Sequence, residues 1–379
     1  MTAGSPETVR GRLVLDDRVT GGRITIEDGR IAALDLDDSA PTDGPYLAPG
    51  FVDVHVHGWG GHSAMGDPAA LDGMARRLLR RGVTSFLPTA VTAPIDALAA
   101  FAERVRTWLP GAPADGAEPL GFNLEGPFLA ATRRGAHDPA QLRIPADVPE
   151  ATLEPLLDGL RLVTIAPELP GATELIRWLR ERRVAVSLGH SAASFAESRA
   201  GYEAGATSTT HLFNAMSGID HRAPGLALAA LLDDAAFVEL IADGIHVDPT
   251  VWPLITRLKP SDRLLLVSDA IALAGTGDGR GWIGGLEVEV AGGRVTLAGT
   301  QTLAGSVIAL DSAVRNLVRS GVGLPAAVAA AARNPLALLG ITDRGRIAVG
   351  QRADLVELDA GLRVRRVMRS GTWFAGESD

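Results

Sequence analysis

Residues Phe51 to His57 read FVDVHVH. In an extended strand alternate side chains share a face, so this spacing sets Asp53, His55 and His57 side by side and brings two imidazoles together at the strand's end. Paired imidazoles are a metal-ligand geometry, although alternating histidines on a half-exposed strand can equally bind nothing. The next residues favour a ligand role. Gly58 to Gly61 (GWGG) leads the chain out through a glycine-rich loop, where a ligand can come close to the backbone.

The same arrangement, a short apolar run closed by a chemically active side chain, recurs down the chain. Glu125 ends GFNLE, His190 sits in SLGHS, His211 in TTHLFNAM, His246 in ADGIHVD and Asp269 in LLLVSDA. Taken singly, Glu125 before Gly-Pro could cap a helix, His190 could be a satisfied core histidine, and Asp269 could open the next segment. Taken together they point to a metal centre with two positions. His55 and His57 form one side, His190 and His211 the other, and Glu125 can bridge through its two oxygens. Nitrogen and oxygen donors suit divalent Zn, Fe, Co or Mn, one or two per subunit. Two close cations make water a strong nucleophile near neutral pH. Asp269 is then the natural base to take the water's proton and return it to a leaving nitrogen.

These residues need a frame. From Phe51 onward, short apolar runs alternate with amphipathic helical segments, the signature of βα units and a parallel sheet. The strand candidates are 51–57, 84–89, 120–125, 162–168, 184–190, 208–213, 237–243 and 264–269. Eight units over this length predict an α/β fold, a (β/α)8 TIM-type barrel, whose C-terminal strand ends carry the chemistry. Asp67-Pro68 opens a helix that Arg76 to Arg81 and Gly82 close. Residues 284–300 read as a β-hairpin inserted after the eighth strand, and two alanine-rich helices follow, around 310–319 and 325–333. Before the barrel, short strand-like runs lie at 12–15, 23–27 and 30–34, and strand-like text with a second hairpin returns over 345–374. The N- and C-terminal strands are expected to pair into one small sheet, a β-sandwich-like domain of residues 1–48 and 337–379 flanking a barrel of residues 49–336.

Composition narrows the function classes. A chain of 379 residues with 46% hydrophobic content can bury a large core. With no cysteine, disulfides, thiolate catalysis and cysteine-ligated zinc are excluded. A net charge of -9 argues against a nucleic-acid partner. No apolar stretch reaches the roughly 20 residues of a bilayer span, and Met1 to Arg10 lacks the pattern of a secretory signal. A cytoplasmic protein with a small-molecule substrate is expected.

The pattern resembles the amidohydrolase superfamily, in which HxH follows strand one and a catalytic Asp follows strand eight. Many members bridge their metals with a carboxylated lysine on strand four. Lys259, the lone lysine here, lies far from that strand. Glu125 after strand three is similar to the substitute used in the N-acetylglucosamine-6-phosphate deacetylase branch. The likeness to that branch covers nearly the whole chain, through APGFVDVHVHG, NLEGPFL, RGAH, SLGHS, THLFNAM, RAPG, ADGIHVD, SDA and LAGS in order. It implies that Glu125, His190 and His211 hold metal and that Asp269 is the acid/base. It also implies substrate contacts from Ala136, His137, Asn214, Ala215, Arg222, His246 and the segment Leu303, Ala304, Gly305. Some members replace the HxH pair and use a single metal; this chain retains both His55 and His57.

The resemblance implies removal of the acetyl group from a phosphorylated amino sugar, with acetate as a product. Arg222 offers a bidentate fork for the phosphate and, in a homodimer, can reach the neighbouring subunit's pocket. Other readings stay open: the same reaction on N-acetylgalactosamine 6-phosphate, another amidohydrolase chemistry on a cyclic amide or an amine, and a non-catalytic barrel. His62 and His221 fit no ligand position.

Overall fold

The apolar runs form strands in the order of the sequence. In the computed structural model, which describes residues 6–37 and 44–377, they are β1 (Phe51–Val56), β2 (Val83–Val91), β3 (Phe122–Glu125), β4 (Leu160–Ile165), β5 (Ala185–Leu188), β6 (Ser208–Thr209), β7 (Phe237–Leu240) and β8 (Leu264–Leu266). Each pairs in parallel with the next from β1 to β8. The ring closes just past the ladders: Asp269 N–H donates to His55 O (2.9 Å) and His57 N–H to Ala270 O (2.8 Å). β1 and β2 are buried along their whole length, as strands flanked on both faces must be.

Several strands end earlier than the apolar text does. β4 stops at Ile165, β5 at Leu188, β6 at Thr209 and β8 at Leu266. The residues beyond leave the ladder to turn side chains over the barrel mouth, and that turn is what makes the site.

The helix Pro68–Arg80 shows how the intervening segments are built. The Asp67 side chain accepts from Ala70 N–H at 2.8 Å, and proline occupies the first turn, where its missing donor costs nothing. Such a cap contributes about 1 kcal/mol. Leu71, Met74, Ala75, Leu78 and Leu79 recur at helical spacing and are buried against the barrel core. Gly82 stops the helix at φ +87, where an added Cβ would strike the Phe51 ring at 2.9 Å. A second cluster joins Val52, Val54, Leu87, Leu162 and Leu265 of the barrel strands to Leu336, Leu338 and Leu339.

The terminal strands pair as expected, into one seven-stranded mixed sheet apart from the barrel. Glu7–Val14, Val19–Glu27 and Arg30–Leu36 form one arm; Leu355–Leu358, Val364–Arg369 and Thr372–Ala375 form the other. The sheet rolls far enough for Arg30 to bridge Arg352, around a core that includes Leu13, Ile24, Ile31, Leu47, Leu355 and Met368. The short strand Tyr46–Pro49, too brief for periodicity to reveal, joins the two arms. Residues 1–5, 38–43 and 378–379, part of the expected small domain and of the secretory-signal reading, lie outside the described residues.

The sheet is fastened to the barrel by ion pairs and hydrogen bonds from arginines. Glu118 takes Arg344 at 2.7 Å and also Arg352, while Arg369 donates to Gly116 O at 2.6 Å. The insertion after β8 is a three-stranded antiparallel sheet rather than a hairpin: Gly279–Ile283 adds to Leu286–Ala291 and Arg294–Leu297. The two glycines and exposed Trp282 of Gly279–Ile283 hide that strand's alternation in the sequence. Helices Leu310–Arg319 and Leu324–Ala331 follow as expected. Among the described residues no helix is long and apolar enough to cross a membrane.

Candidate metal centre and active site

Local backbone strain marks the barrel mouth. His190 (φ +47), His211 (φ +26), Phe213 (φ +75), Ala215 (φ +47) and Asp269 (φ +50) all occupy left-handed conformations without being glycine. Each such residue costs roughly 1–3 kcal/mol and persists only where its surroundings over-determine it. Those surroundings are visible: His190 O accepts from Ala130 N–H (2.9 Å), and Asp269 O from Ser306 N–H (2.8 Å).

Strained turns and regular strand ends together bring five side chains to one point. Glu125 Oε1 lies 3.0 Å from His190 Nε2 and 2.9 Å from His211 Nε2. Its other oxygen lies 3.2 Å from His57 Nε2, and His55 Nε2 is 3.6 Å from Oε1. Two buried triads result, His55–His57–Glu125 and Glu125–His190–His211, each with its ligand atoms within 4.8 Å of one another. Asp269 Oδ1 completes the group, 3.1 Å from His57 Nε2 and 3.6 Å from His55 Nε2.

The outward faces of the rings decide what the inward faces present. His55 Nδ1–H donates to Glu239 Oε2 (3.0 Å), His57 Nδ1–H to Thr89 O (3.1 Å) and His190 Nδ1–H to Arg133 O (2.9 Å). A neutral imidazole has one donor, so each of these rings aims an Nε2 lone pair inward. His55 and His57 Nε2 then face each other at 3.3 Å as acceptors, and His190 Nε2 points its lone pair toward His211 Nε2 at 3.1 Å, around a carboxylate that also only accepts. Convergent acceptors of this kind repel one another unless a cation sits among them, so the residues fit divalent metal. The carboxylates advertise the same demand. Burial disfavours a charged His57, yet Asp269 and Glu125 outweigh it and raise the ring to about 9. Protons and metal compete for the same lone pairs. Burial also pushes the Glu125 and Asp269 carboxyls up, but the surrounding imidazoles, His137 and His55 for Glu125 and His57 for Asp269, hold both below their ordinary values.

His137 has the opposite polarity. Thr92 N–H donates to its Nδ1 at 3.3 Å, so the proton sits on Nε2, which donates to Glu125 Oε2 at 3.2 Å. Burial pushes this ring down to about 4, keeping it neutral near pH 7. His137 therefore serves as a hydrogen-bond donor and not as a ligand.

A cavity of about 340 Å³ opens over the cluster. It is lined by His57, Glu125, His190, His211 and Asp269, and by the expected contacts Ala136, His137, Asn214, Ala215, His246, Leu303, Ala304 and Gly305. His55 lies beneath, fully buried. Arg222 stands apart from the cavity of its own chain, on an exposed loop where its N–H donates to Asp220. His246 Nδ1–H donates to Asp243 Oδ2 at 2.7 Å, which in the neutral ring leaves Nε2 to accept, a match for a sugar hydroxyl. Asp53 shares its strand face with His55 and His57 but stands outside both triads. It accepts from Ser268 N–H (3.4 Å), and burial raises its carboxyl to about 6. His62 packs against Gly73 on the first barrel helix, outside the site.

Some participants escaped the sequence reading. Glu239 betrayed itself only as one acid inside the apolar run FVELIA. Thr89, Thr92 and Asp243 hydrogen-bond the His57, His137 and His246 rings that line the cavity, and Arg133 lines it on the loop after β3. Nothing in their local sequence separates them from ordinary surface or core residues.

A closed parallel barrel with histidine–carboxylate triads at its C-terminal mouth and a further carboxylate beside them defines the class of metal-dependent hydrolases. The chain belongs to the amidohydrolase family, whose model matches residues 46–374. It is 40% identical over 373 residues to an N-acetylgalactosamine-6-phosphate deacetylase of Escherichia coli O157:H7, covering 96% of this chain and 95% of that one. It is equally 40% identical over 386 residues to the N-acetylglucosamine-6-phosphate deacetylase of Homo sapiens, covering 95% and 92%. Among solved structures, an Asp-to-Ala mutant of N-acetyl-D-glucosamine-6-phosphate deacetylase from Mycobacterium smegmatis, in complex with N-acetyl-D-glucosamine-6-phosphate, superimposes with a TM-score of 0.89 at 34% identity, covering 98% of this chain and 99% of that one.

Proposed function

We propose that the chain hydrolyses the acetamide of N-acetyl-D-glucosamine 6-phosphate, giving D-glucosamine 6-phosphate and acetate, a step of amino-sugar catabolism and recycling. The observation that carries this reading is one carboxylate, Glu125, shared between two histidine pairs beneath a cavity that Asp269 also faces. Full-length kinship to deacetylases of such sugars supplies the substrate class. His55, His57, Glu125, His190 and His211 would hold one or two divalent ions of Zn, Fe, Co or Mn, which when bound polarise the amide carbonyl and acidify water.

The chain's own groups do the rest. Asp269 accepts the proton of the attacking water and delivers it to the leaving amine as the carbon–nitrogen bond breaks. His137 donates from Nε2 and His246 accepts at Nε2, so the two can tell the donors and acceptors of the sugar apart. Asn214 and Ala215 provide an amide and backbone donors near the mouth. Arg222 is exposed and does not line its own cavity, which favours a homodimer in which it closes the partner's site on the phosphate. On this reading the protein works in the cytoplasm, with the barrel of residues 49–336 as its catalytic domain and residues 1–48 and 337–379 as a β domain.

The test is acetate release from N-acetylglucosamine 6-phosphate, with the unphosphorylated sugar as control. Equal kcat/KM on both refutes the phosphate assignment, and unchanged KM in Arg222→Ala refutes that residue's role. The kinship to an N-acetylgalactosamine-6-phosphate deacetylase supports a second substrate. Running the galactosamine epimer in parallel decides between them.

A further inference from the structure

Glu239 lies on β7 with its side chain completely buried, and no lysine or arginine is paired with it among the described residues. A carboxylate taken out of water is expensive unless it is hydrogen-bonded and charge-compensated. Its hydrogen bonds come from two residues of the candidate metal centre. Oε2 accepts from His55 Nδ1–H at 3.0 Å and from His211 N–H at 3.1 Å. The main-chain oxygen of the same residue accepts from Leu212 N–H at 2.8 Å. Oε1 has no partner among the described residues.

These contacts reach both triads at once. His55 belongs to one and His211 to the other, and His211 is held at φ +26, a conformation its neighbours must enforce. The bond to His55 also fixes which ring nitrogen faces the centre. With Nδ1–H committed to Glu239, Nε2 has its lone pair directed at Glu125 and His57. For His211 the contact is to the backbone alone, and its ring Nδ1 has no partner among the described residues.

From this geometry we infer that Glu239 is the positioning residue for the His55–His57 metal position: it sets the tautomer and angle of His55, and by sharing the same oxygen with the His211 amide it keeps that position in register with the other triad. The inference rests on the metal-centre reading above. The His190–His211–Glu125 position depends on Glu239 only through backbone, so loss of the side chain should loosen one metal position selectively.

The experiment uses zinc-loaded wild-type enzyme, Glu239→Gln and His55→Ala, each challenged with graded chelator while retained zinc is counted by atomic absorption. Wild type should hold two zinc ions per chain. Glu239→Gln should lose one at about 10- to 100-fold lower chelator concentration, the usual scale for removing a carboxylate partner of a ligating histidine. It should keep the other as wild type does, reproducing the one-zinc state of His55→Ala. Release curves identical to wild type overturn the inference, as do curves in which both ions loosen equally. A wild type that keeps one zinc also overturns it and leaves the hydrolase reading standing. A wild type that keeps none, and needs none for acetate release, overturns the metal centre itself. Should Glu239→Gln not fold, nitrogen-15 histidine spectra of zinc-loaded wild type provide the check. A proton on His55 Nδ1 with Nε2 as the metal-facing nitrogen supports the inference, and the reverse tautomer overturns it.

Discussion

Replacing Asp269 by asparagine removes the proposed acid/base and little else. The position sits at φ +50, a conformation asparagine tolerates among the best of the non-glycine residues. Both main-chain bonds, Asp269 N–H to His55 O at 2.9 Å and Ser306 N–H to Asp269 O at 2.8 Å, survive the change. The amide is the same size as the carboxyl, so His57 and the cavity wall keep their packing. What disappears is a carboxylate able to take and return a proton, a contribution of typically 10²–10⁴ in rate. Glu125 is the other carboxylate lining the cavity, and it already meets five imidazoles. No other carboxylate lining the cavity is therefore free to substitute, and the loss should fall in the upper half of the range, about 10³–10⁴ in kcat, or roughly 4–5.5 kcal/mol of barrier. The assay is steady-state acetate release at saturating N-acetylglucosamine 6-phosphate, with KM and melting temperature measured alongside. KM should move less than threefold and the melting temperature by no more than a few degrees. The wild-type rate should fall on acidification through a carboxyl titrating below the ordinary aspartate range, because His57 holds Asp269 there against the effect of burial. A kcat for Asp269→Asn within tenfold of wild type would refute the assignment of proton transfer to this residue.

Three further outcomes follow from the geometry. Gly305→Ala introduces a Cβ that would lie 2.8 Å from Asp269 O and 2.7 Å from Ile271, at φ +70. It should lower kcat at least tenfold and destabilise by about 1–3 kcal/mol, read from kinetics and thermal melts; wild-type behaviour would show that the 303–305 segment does not constrain Asp269. Exhaustive chelation should abolish acetate release and lower the melting temperature, since an ion that binds only the native state stabilises by about 2.7 kcal/mol at a hundred times its dissociation constant. Restoring a divalent ion should recover both. Burial raises the Glu118 carboxyl, but Arg352 and Arg344 outweigh that and lower it below its ordinary value. Its stabilisation is therefore present above the unfolded pKa of 4.5 and disappears as pH falls through the depressed folded value. Glu118→Gln should cost about 1.5–3 kcal/mol at pH 7 in denaturant titrations and flatten the acid limb of the stability profile.

Much of this site is written in linear order because a parallel barrel converts position along each strand into position in space. Successive βα units return every strand end to the same mouth, so Glu125, His190, His211 and Asp269, scattered through more than a hundred residues, meet because each closes an apolar run. The two-residue period of β1 does the same for His55 and His57. Residue inventory did further work, since a chain without cysteine and with a single distant lysine leaves histidine and carboxylate to hold a metal.

Relations between strands are a different matter. That His137 carries its proton on Nε2 while His55, His57 and His190 carry theirs on Nδ1 depends on Thr92, Glu239, Thr89 and Arg133, partners from other units of the barrel that no spacing rule connects. Asp53 shows the same limit from the other side. It alternates in phase with two ligands, yet the closing seam with β8 takes its carboxylate for Ser268. The sequence leaves open whether Arg222 serves its own pocket or a neighbour's, and the fold places it on an exposed loop outside the residues that line its own cavity. Periodicity is a property of one strand, and it reports which face a side chain shares. Which atom that side chain finally meets is set by neighbours brought close only when the ring of strands closes.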